Sequence, residues 1–418
     1  CIFMRYGLIG EKLGHSFSKI IHEQLADYTY DLIPLSNEAF HNFMKQREFQ
    51  AINVTIPYKE LVLPYLDCID PKAAAIGAVN TVVHRGNKLY GYNTDYDGFR
   101  YMLMKHKIDP KGKKVLLLGR GGAAKACIAV VKDMGAEQIL TVYYKENAET
   151  ITYQTCYDSH RDAQIIINTT PVGMYPNTEE SPIDLNGFDN LEAVVDVVYN
   201  PLRTKFVLEG LSKGVTAVGG LEMLIGQAKC AVEIFLGKKM DNTFIQNLYT
   251  ALLEERSNLV LIGMSGCGKT TLGKMAAKRL GKGFVDIDEE IVKEIGMPIK
   301  EYFSKMGETS FRLVERTMVQ KFSKENGLVI ATGGGVIKNE LNIGDLKQNG
   351  RIIWVKREVS LLESGNGRPL TPDSEATARL YQERLPLYEG AAEVVCQNNG
   401  TAEEGLKKLM DKYNELLI

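Results

Sequence analysis

The sequence predicts an α/β protein assembled from parallel-sheet units, and three observations predict it. First, two glycine-rich loops each follow a short apolar run and open onto helical spacing: KKVLLLGRGGAAKA at 113–126 and NLVLIGMSGCGKTTLGKMAAKRL at 258–280. An apolar run that gives way to a tight turn and a 3.6-residue period reads as a buried strand, a turn and a helix. Second, 418 residues correspond to two or three domains at roughly 150 residues each. Third, 44% hydrophobic and 24% charged residues are ordinary globular proportions, which excludes disorder for the bulk of the chain.

Composition removes several function classes. Lys plus Arg is 50 and Asp plus Glu is 52, a formal charge of −2, so no global field draws the chain to nucleic acid or an anionic membrane. No apolar run reaches the ~18 residues needed to span a bilayer. The seven cysteines form no CxxC pair, which excludes a zinc ribbon or a disulfide scaffold and fits a reducing, cytoplasmic setting. The opening Cys1-Ile2-Phe3-Met4 lacks signal-peptide character, and Met4 is read as the natural start.

Taken in order, strand-like runs fall at Tyr6–Gly10, Tyr30–Leu35 and Ala51–Pro57. A hairpin over Asn80–Asn93 turns through Arg85-Gly86-Asn87-Lys88, a turn composition bounded by apolar alternation. Asp95–His106 reads as a helix leading into the first glycine loop. Strands and helices then alternate to about residue 222, with a strand at Gln138–Tyr144. Residues 222–236 look helical and able to pack back on the first domain, and 240–257 form an amphipathic helix ending in a charged junction. The main boundary is placed near 256.

The second loop carries the sharper chemistry. Gly263-x4-Gly268-Lys269-Thr270 is a full phosphate-loop pattern. Glycines at 263, 266 and 268 let N–H groups turn toward phosphate, Lys269 neutralises the β/γ oxygens, and the Thr270 hydroxyl ligands Mg²⁺, with Thr271 behind it on the helix that contributes its dipole. In Phe284-Val285-Asp286-Ile287-Asp288 a period of two puts both carboxylates on one strand face, at the strand end where open α/β sheets bind ligands. Glu308, Arg312 and Glu315 share a helix face. Val329–Gly335 ends a strand in three glycines, allowing close backbone approach. Gly367-Arg368-Pro369-Leu370 and Glu383-Arg384-x-Pro386-Leu387-Tyr388 follow. Each alone is a surface turn or solvated charge; their joint spacing is not.

On these motifs residues 257–418 resemble a shikimate kinase, which implies a P-loop, nucleoside-monophosphate-kinase-like domain with a five-stranded parallel sheet. The resemblance implies ATP and Mg²⁺, with the γ-phosphoryl group passing to the 3-hydroxyl of shikimate. Arg312 and Arg384 would fork the substrate carboxylate, Gly334 would offer backbone contact, Asp288 would orient and deprotonate the hydroxyl, and Asp286 would hold Mg²⁺ through water. Arg368 would close over the phosphates from a lid at roughly 361–376. The family often has a second Arg shortly before that Arg; here the run is Glu363-Ser364-Gly365-Asn366-Gly367.

The first loop, Gly119-Arg120-Gly121-Gly122-Ala123, fits a dinucleotide turn between strand and helix. The tip of the following strand reads Tyr143-Tyr144-Lys145, with no acid before Glu146; a basic tip favours the 2′-phosphate of NADP over the free ribose hydroxyl of NAD. Ahead of it lie four polar clusters: Gly14–Ser18, Asn53–Lys59, Gly77–Thr81 and Gly91–Asp95. Hydroxyls and amides with one Lys and one Asp suit a polyol substrate, although each cluster alone is ordinary turn chemistry.

These clusters, with Asn168–Met174, Asp196–Pro201 and Gly220–Ala228, resemble shikimate dehydrogenase over about residues 4–250. The resemblance implies an α/β substrate domain at 4–100, completed by helices at about 231–255, and a Rossmann-type NADP domain at 101–230. It implies reversible reduction of 3-dehydroshikimate by NADPH. Lys59 would serve the ketone oxygen, Asp95 would pair with Lys59, Ser16 and Ser18 would hold the carboxylate, and Asn53, Thr55, Asn80 and Gln227 the carboxylate and ring hydroxyls. Met223 would lie near the nicotinamide, and Arg120 and Lys145 would stand in for the family's strand-tip Arg. The family's Pro after the second Ser and Asn after the His are here Lys19 and Glu23, so His22 is read as a packing or surface residue rather than a catalytic one.

The product of the first half is the substrate of the second. The expectation is therefore a bifunctional shikimate-pathway enzyme using NADPH, ATP and Mg²⁺ on 3-dehydroshikimate and shikimate, with no nucleic-acid or membrane partner. Alternatives left open are a quinate dehydrogenase half that uses NAD, one half acting only as a binding module, and a phosphate-loop regulator that binds nucleic acid.

Overall fold

The computed structural model describes residues 4–14, 16–362 and 369–417. Two compact units emerge. The first gathers the chain up to Met174 with Glu180–Asn200 and Phe206–Tyr249; the second gathers Tyr175–Glu179, Pro201–Lys205 and the chain from Thr250 onward. The division falls inside the helix Thr243–Arg256, a few residues before the expected 256.

The first unit holds two sheets. In the mixed sheet, Asp31–Pro34, Met4–Gly10, Phe49–Val54, Thr81–Arg85, Lys88–Tyr92 and Cys68–Ile69 lie side by side in that order. The expected hairpin is present, pairing Thr81 with Tyr92 and Arg85 with Lys88, and Gly86 takes the turn at φ +59°, a left-handed conformation open to glycine. The second sheet is parallel, in the order Thr216–Val218, Ala193–Asp196, Ile165–Asn168, Lys114–Leu118, Gln138–Val142, Thr150–Ile151. Its central strands are buried on both faces, which is why they read as unbroken apolar runs. Val115 and Leu117 enter one core with Phe99, Cys127 and Val130; Leu116 and Leu118 enter another with Ile166, Val194 and Phe206.

Three helices carry functional residues into this frame. The helix Asp95–Lys105 crosses Leu221–Leu236 with glycine against glycine: a Cβ on Gly226 would lie 3.2 Å from the Gly98 Cα, and one on Gly98 would lie 2.5 Å from the Met223 carbonyl oxygen. The absent side chains let the two backbones close, and Gln227 is drawn toward Asn80. The helix Ser18–Leu25 also packs on Leu221–Leu236. His22 on its inner face is fully buried. Its ring stacks on Tyr30 at 3.9 Å and its Nδ1 meets the Tyr28 hydroxyl at 2.6 Å.

The second unit is a five-stranded parallel sheet in the order Gly283–Asp286, Leu328–Ala331, Asn258–Ile262, Gly350–Lys356, Val394–Gln397. Val260, Ile330 and Trp354 face a core with Phe311 and Tyr388; Leu259, Leu261 and Ile353 face another with Leu272 and Tyr413. Within this unit Arg203 is half-buried, forking Glu393 at 2.9 and 3.4 Å and donating to the carbonyls of Lys347 and Gly350. In both parallel sheets a glycine loop leaves the strand at which the order reverses, the place where open α/β sheets form ligand crevices. No helix among the described residues is long and apolar enough to cross a membrane.

Burial lowers the His22 pKa to about 3. An unfolded histidine titrates near 6.5, so between about 6.5 and 3 the unfolded chain binds a proton that the folded one refuses. Stability contributed by neutral His22 is present above 6.5 and lost as pH falls through that window, at up to about 1.4 kcal/mol per pH unit. His22→Phe should flatten the pH dependence of the first unit's denaturant midpoint between 6.5 and 4. Parallel profiles for the two proteins would show that His22 does not titrate this way.

Candidate functional site

In the first unit the polar clusters converge on one buried network. Lys59 follows the strand Phe49–Val54 and is held by its backbone, its carbonyl accepting from Val79 N–H at 2.8 Å. Its Nζ meets Asp95 Oδ2 at 2.5 Å, with side chains 13% and 8% exposed. Asp95 opens the helix Asp95–Lys105. Asn80 donates to Thr94 Oγ1 at 2.9 Å, to Asp95 Oδ1 at 3.1 Å and to Gln227 Oε1 at 3.4 Å, while its Oδ1 accepts from Thr94 N–H at 2.8 Å. Asn53 extends the network, donating to Thr81 Oγ1 at 3.0 Å and accepting from the Tyr30 hydroxyl at 2.9 Å. Every amide orientation is thereby fixed by partners, as a buried polar group requires.

Ser16, Ser18 and Thr55 make no direct hydrogen bond to that network among the described residues. Ser16 Oγ accepts from Ser18 N–H at 3.2 Å, and the Ser16 hydroxyl bonds the half-buried Tyr199. Thr55 packs beside Gly10, where a Cβ would lie 2.5 Å from its Cγ2. Tyr30, Thr81 and Thr94 in the network, and Tyr199 beside Ser16, are residues that sequence reasoning did not assign. Thr81, Thr94 and Tyr199 lay inside recognised clusters; Tyr30 carried no signal.

The dinucleotide loop lies against the same lysine. A Cβ on Gly122 would stand 2.9 Å from Lys59 Cβ and 3.0 Å from its Cδ. Gly119 adopts φ +110° with its α-carbon pressed on Thr169, whereas nothing lies within 4 Å of a Cβ built on Gly121. Gly122 and Ala123 begin the helix Gly122–Asp133. Such a cradle, with free N–H groups at a helix start and open space at one glycine, fits a pyrophosphate. Met223 is buried in the first turn of Leu221–Leu236, and Arg120 and Lys145 are exposed.

In the second unit Gly263, Gly266 and Gly268 take φ of +149°, +83° and +103°, as a loop that turns its N–H groups inward demands. Lys269 opens the helix Lys269–Leu280 and folds its Nζ onto the Gly263 and Met264 carbonyls at 2.7 and 2.9 Å; Thr271 is exposed one turn position on. Asn398, which sequence reasoning missed, donates to the Cys267 carbonyl at 2.8 Å and lies over Gly268.

One expectation is corrected. Asp286 and Asp288 do not share a strand face. The strand ends at Asp286, whose Oδ1 accepts from the N–H groups of Asp288 and Glu289 and so caps the helix Ile287–Ile295. The local N-cap hydrogen bonds win over strand continuation. The two carboxylates still meet in one site. Thr270 Oγ1 donates to Asp286 Oδ2 at 2.7 Å, which leaves a hydroxyl and a carboxylate together, the sparse oxygen set that Mg²⁺ completes with phosphate oxygens and water. Among the described residues no group of three or more His, Cys, Asp or Glu is arranged to hold a metal.

Asp288 titrates at about 6, raised first by burial and then by Asp286 and Glu315, against the pull of Lys269 and Arg312. Arg312 bonds Glu308 at 3.2 Å and Glu315 at 3.0 Å across one helix face of Ile299–Ser323, as expected. The three glycines admit these groups. A Cβ on Gly333 would lie 2.7 Å from Asp288 Oδ1, one on Gly334 3.1 Å from Arg384 Nη1, and one on Gly335 would overlap the Arg312 guanidinium. Arg384 is 4% exposed, and its Nε has no partner. The Tyr388 hydroxyl donates to the Gly334 carbonyl at 2.5 Å. Arg368 lies outside the described residues, as does the centre of the expected lid.

Comparison with known proteins agrees with both constellations. Residues 8–82 match the family described as shikimate dehydrogenase substrate binding domain, and residues 265–414 match shikimate kinase. The shikimate dehydrogenase (NADP(+)) of Clostridium beijerinckii is 40% identical over 265 residues, covering 60% of this chain and 98% of the relative. This chain belongs to the shikimate dehydrogenase family. It also carries a shikimate kinase domain. Among solved structures, shikimate dehydrogenase 1 of Peptoclostridium difficile is 39% identical with a TM-score of 0.56, covering 60% of this chain and 97% of its own. The Thermus thermophilus dehydrogenase, solved with NADP(H) and shikimate, is 30% identical with a TM-score of 0.53, covering 58% and 97%. The chain is thus a bifunctional shikimate-pathway enzyme, an NADP-linked oxidoreductase and a kinase.

Gly335→Ala should spare the fold, because only the flexible end of Arg312 has to move, yet displace a guanidinium held by two carboxylates. Arg312 is expected to position the substrate, and a misplacement of about 1 Å in such a group costs up to about 100-fold. Phosphorylation should therefore lose roughly ten- to a hundredfold in kcat/KM for shikimate, with ketone reduction unchanged. Steady-state rates of both activities on one preparation test this.

Proposed function

We propose that the first unit reduces 3-dehydroshikimate to shikimate with NADPH and that the second phosphorylates shikimate at its 3-hydroxyl with ATP. The observation that carries this reading is the Lys59–Asp95 pair lying against Gly122 of the dinucleotide loop, which puts a proton donor and a hydride source at one place. Bound NADPH supplies the hydride to the ketone carbon. Lys59 donates a hydrogen bond and then a proton to the oxygen on which charge grows. Asp95 keeps Lys59 oriented and accepts from a ring hydroxyl. Asn53, Thr55, Asn80 and Gln227 meet the remaining polar groups, and Ser16 and Ser18 the carboxylate.

In the second unit Arg312 and Arg384 fork the carboxylate, for which planar guanidinium geometry is suited. Asp288 accepts the hydroxyl proton as that oxygen attacks the γ-phosphorus and ADP leaves. Lys269 swings from its own loop carbonyls to the β/γ oxygens. Thr270 and Asp286 would hold Mg²⁺, which would supply positive charge to the phosphate oxygens. Gly334 supplies backbone contact.

Purified protein mixed with 3-dehydroshikimate, NADPH, ATP and Mg²⁺ should yield shikimate 3-phosphate by mass spectrometry. Removing a general acid costs about 10²–10⁴-fold, so Lys59→Ala should lose ketone reduction by that range while still phosphorylating added shikimate. Lys269→Ala should stop at shikimate. A Lys59→Ala protein that reduces the ketone at full rate, or a Lys269→Ala protein that phosphorylates at full rate, refutes the corresponding half.

A further inference from the structure

The strand that follows the dinucleotide loop ends in an arrangement of two aromatic rings and two cations. The Arg120 guanidinium, from the loop, lies over the Tyr143 ring at 5.3 Å. Tyr143 and Tyr144 stand with ring centroids 4.2 Å apart, and their hydroxyls share a hydrogen bond. The Lys145 ammonium lies over the Tyr144 ring at 5.2 Å. Among the described residues no carboxylate pairs with Arg120 or Lys145, and both are exposed. The tip itself is pinned. Thr150 Oγ1 donates to the Lys145 carbonyl at 2.7 Å, and Asn147 Oδ1 accepts from the N–H groups of Glu149 and Thr150.

Two unpaired cations on a fixed aromatic ledge, at the end of the strand beside the glycine loop, are a receptor for an anion attached to an adenosine. A ribose bearing only hydroxyls would need an acceptor here, and the tip offers none before Glu146. We propose that Arg120 is the main reader of the cofactor's 2′-phosphate, that Tyr143 positions it by holding the guanidinium over its ring, and that Lys145 is a weaker second cation. Arg120 outranks Lys145 because a planar fork meets two phosphate oxygens at once, while an ammonium acts as a point charge. Stacking on Tyr143 removes rotamers that the free side chain would otherwise lose on binding. The device differs in origin from a strand-tip arginine: the cation comes from inside the glycine loop and the strand supplies only its seat. The proposal rests on the reading of the first unit as an NADP dehydrogenase.

The test is calorimetric titration of NADP⁺ and NAD⁺ into the full chain. A non-hydrolysable ATP analogue with Mg²⁺ saturates the phosphate loop, so that the second unit takes up no probe. Wild type should prefer NADP⁺. Losing a charge-assisted fork to phosphate corresponds to roughly tenfold or more in affinity, so Arg120→Ala should weaken NADP⁺ by at least that factor and leave NAD⁺ within about twofold. Tyr143→Ala should reproduce most of that loss, Tyr143→Phe should restore near-wild-type preference because the ring remains, and Lys145→Ala should cost only a few-fold. NADP⁺ binding unaltered by Arg120→Ala overturns the assignment while leaving the dehydrogenase reading intact, as does a Tyr143→Ala protein with wild-type preference. Failure of wild type to bind either nucleotide overturns both.

Discussion

Lys59 can face Asp95 from its observed position only because residue 122 has no Cβ. The Gly122 α-carbon lies where any side chain would run into the Lys59 stem, so the dinucleotide loop and the substrate lysine are packed as one object. The pair itself is not a cheap feature. Withdrawing a charge from water costs several kcal/mol per ion even after relaxation, and attraction offsets that only when the remaining hydrogen-bonding capacity is met. Asp95 meets it through Asn80, and Asn80 through Thr94 and Gln227. The chain of amides behind the pair is thus a condition for having a buried lysine at that point, and it also leaves the ammonium with one fixed direction.

The second unit solves a related problem with opposite emphasis. Four charged groups, Asp288, Glu315, Arg384 and Arg312, crowd around three glycines that leave room for them. Asp288 is pushed up to about 6 because like charges and burial outweigh Lys269 and Arg312. A carboxyl poised there is a better proton acceptor than an ordinary aspartate, since basicity rises with pKa while the group remains mostly ionised near neutrality. Glu315, also raised by burial, is steadied by Arg312. Arg312 tempers the site's negative charge through its pairs with Glu308 and Glu315, and in the proposed reaction the same guanidinium meets an anionic substrate. Gly335 makes both possible by standing aside.

Much of this was legible in the sequence, for identifiable reasons. Buried parallel strands are short apolar runs and glycine loops punctuate them, so both parallel sheets and both loops could be read. Side-chain pairs close in sequence were legible too: Glu308, Arg312 and Glu315 follow from helical spacing. The Asp286–Asp288 reading failed because strand alternation was extended past a residue that caps a helix, although the acidic run Asp288-Glu289-Glu290 is what a first helical turn favours. Other members depend on long-range closure. Tyr30 reaches Asn53 across 23 positions and Asn398 reaches Cys267 across 131; no local pattern encodes such meetings. Tyr175–Glu179 and Pro201–Lys205 belong to the second unit for the same reason, since Arg203 finds Glu393 across 190 positions.

The two glycine loops show how one local geometry serves two chemistries. Both leave the strand at which sheet order reverses, and both turn glycine backbone toward a phosphate. They differ in where the cation sits. In the second loop Lys269 is the first helical residue, nearly buried, so its charge acts within the loop on the phosphates the backbone holds. In the first loop that place is taken by Gly122 and Ala123, and the only cation, Arg120, points out of the cradle onto Tyr143. A pyrophosphate held by backbone N–H groups and a helix dipole needs no lysine, because no phosphoryl group is to be transferred and no charge develops on its oxygens. The spare cation is then free to serve discrimination. A transferase loop concentrates charge where the bond breaks; a dinucleotide loop keeps that place neutral and small, which here is also what lets the Lys59 stem pack against Gly122.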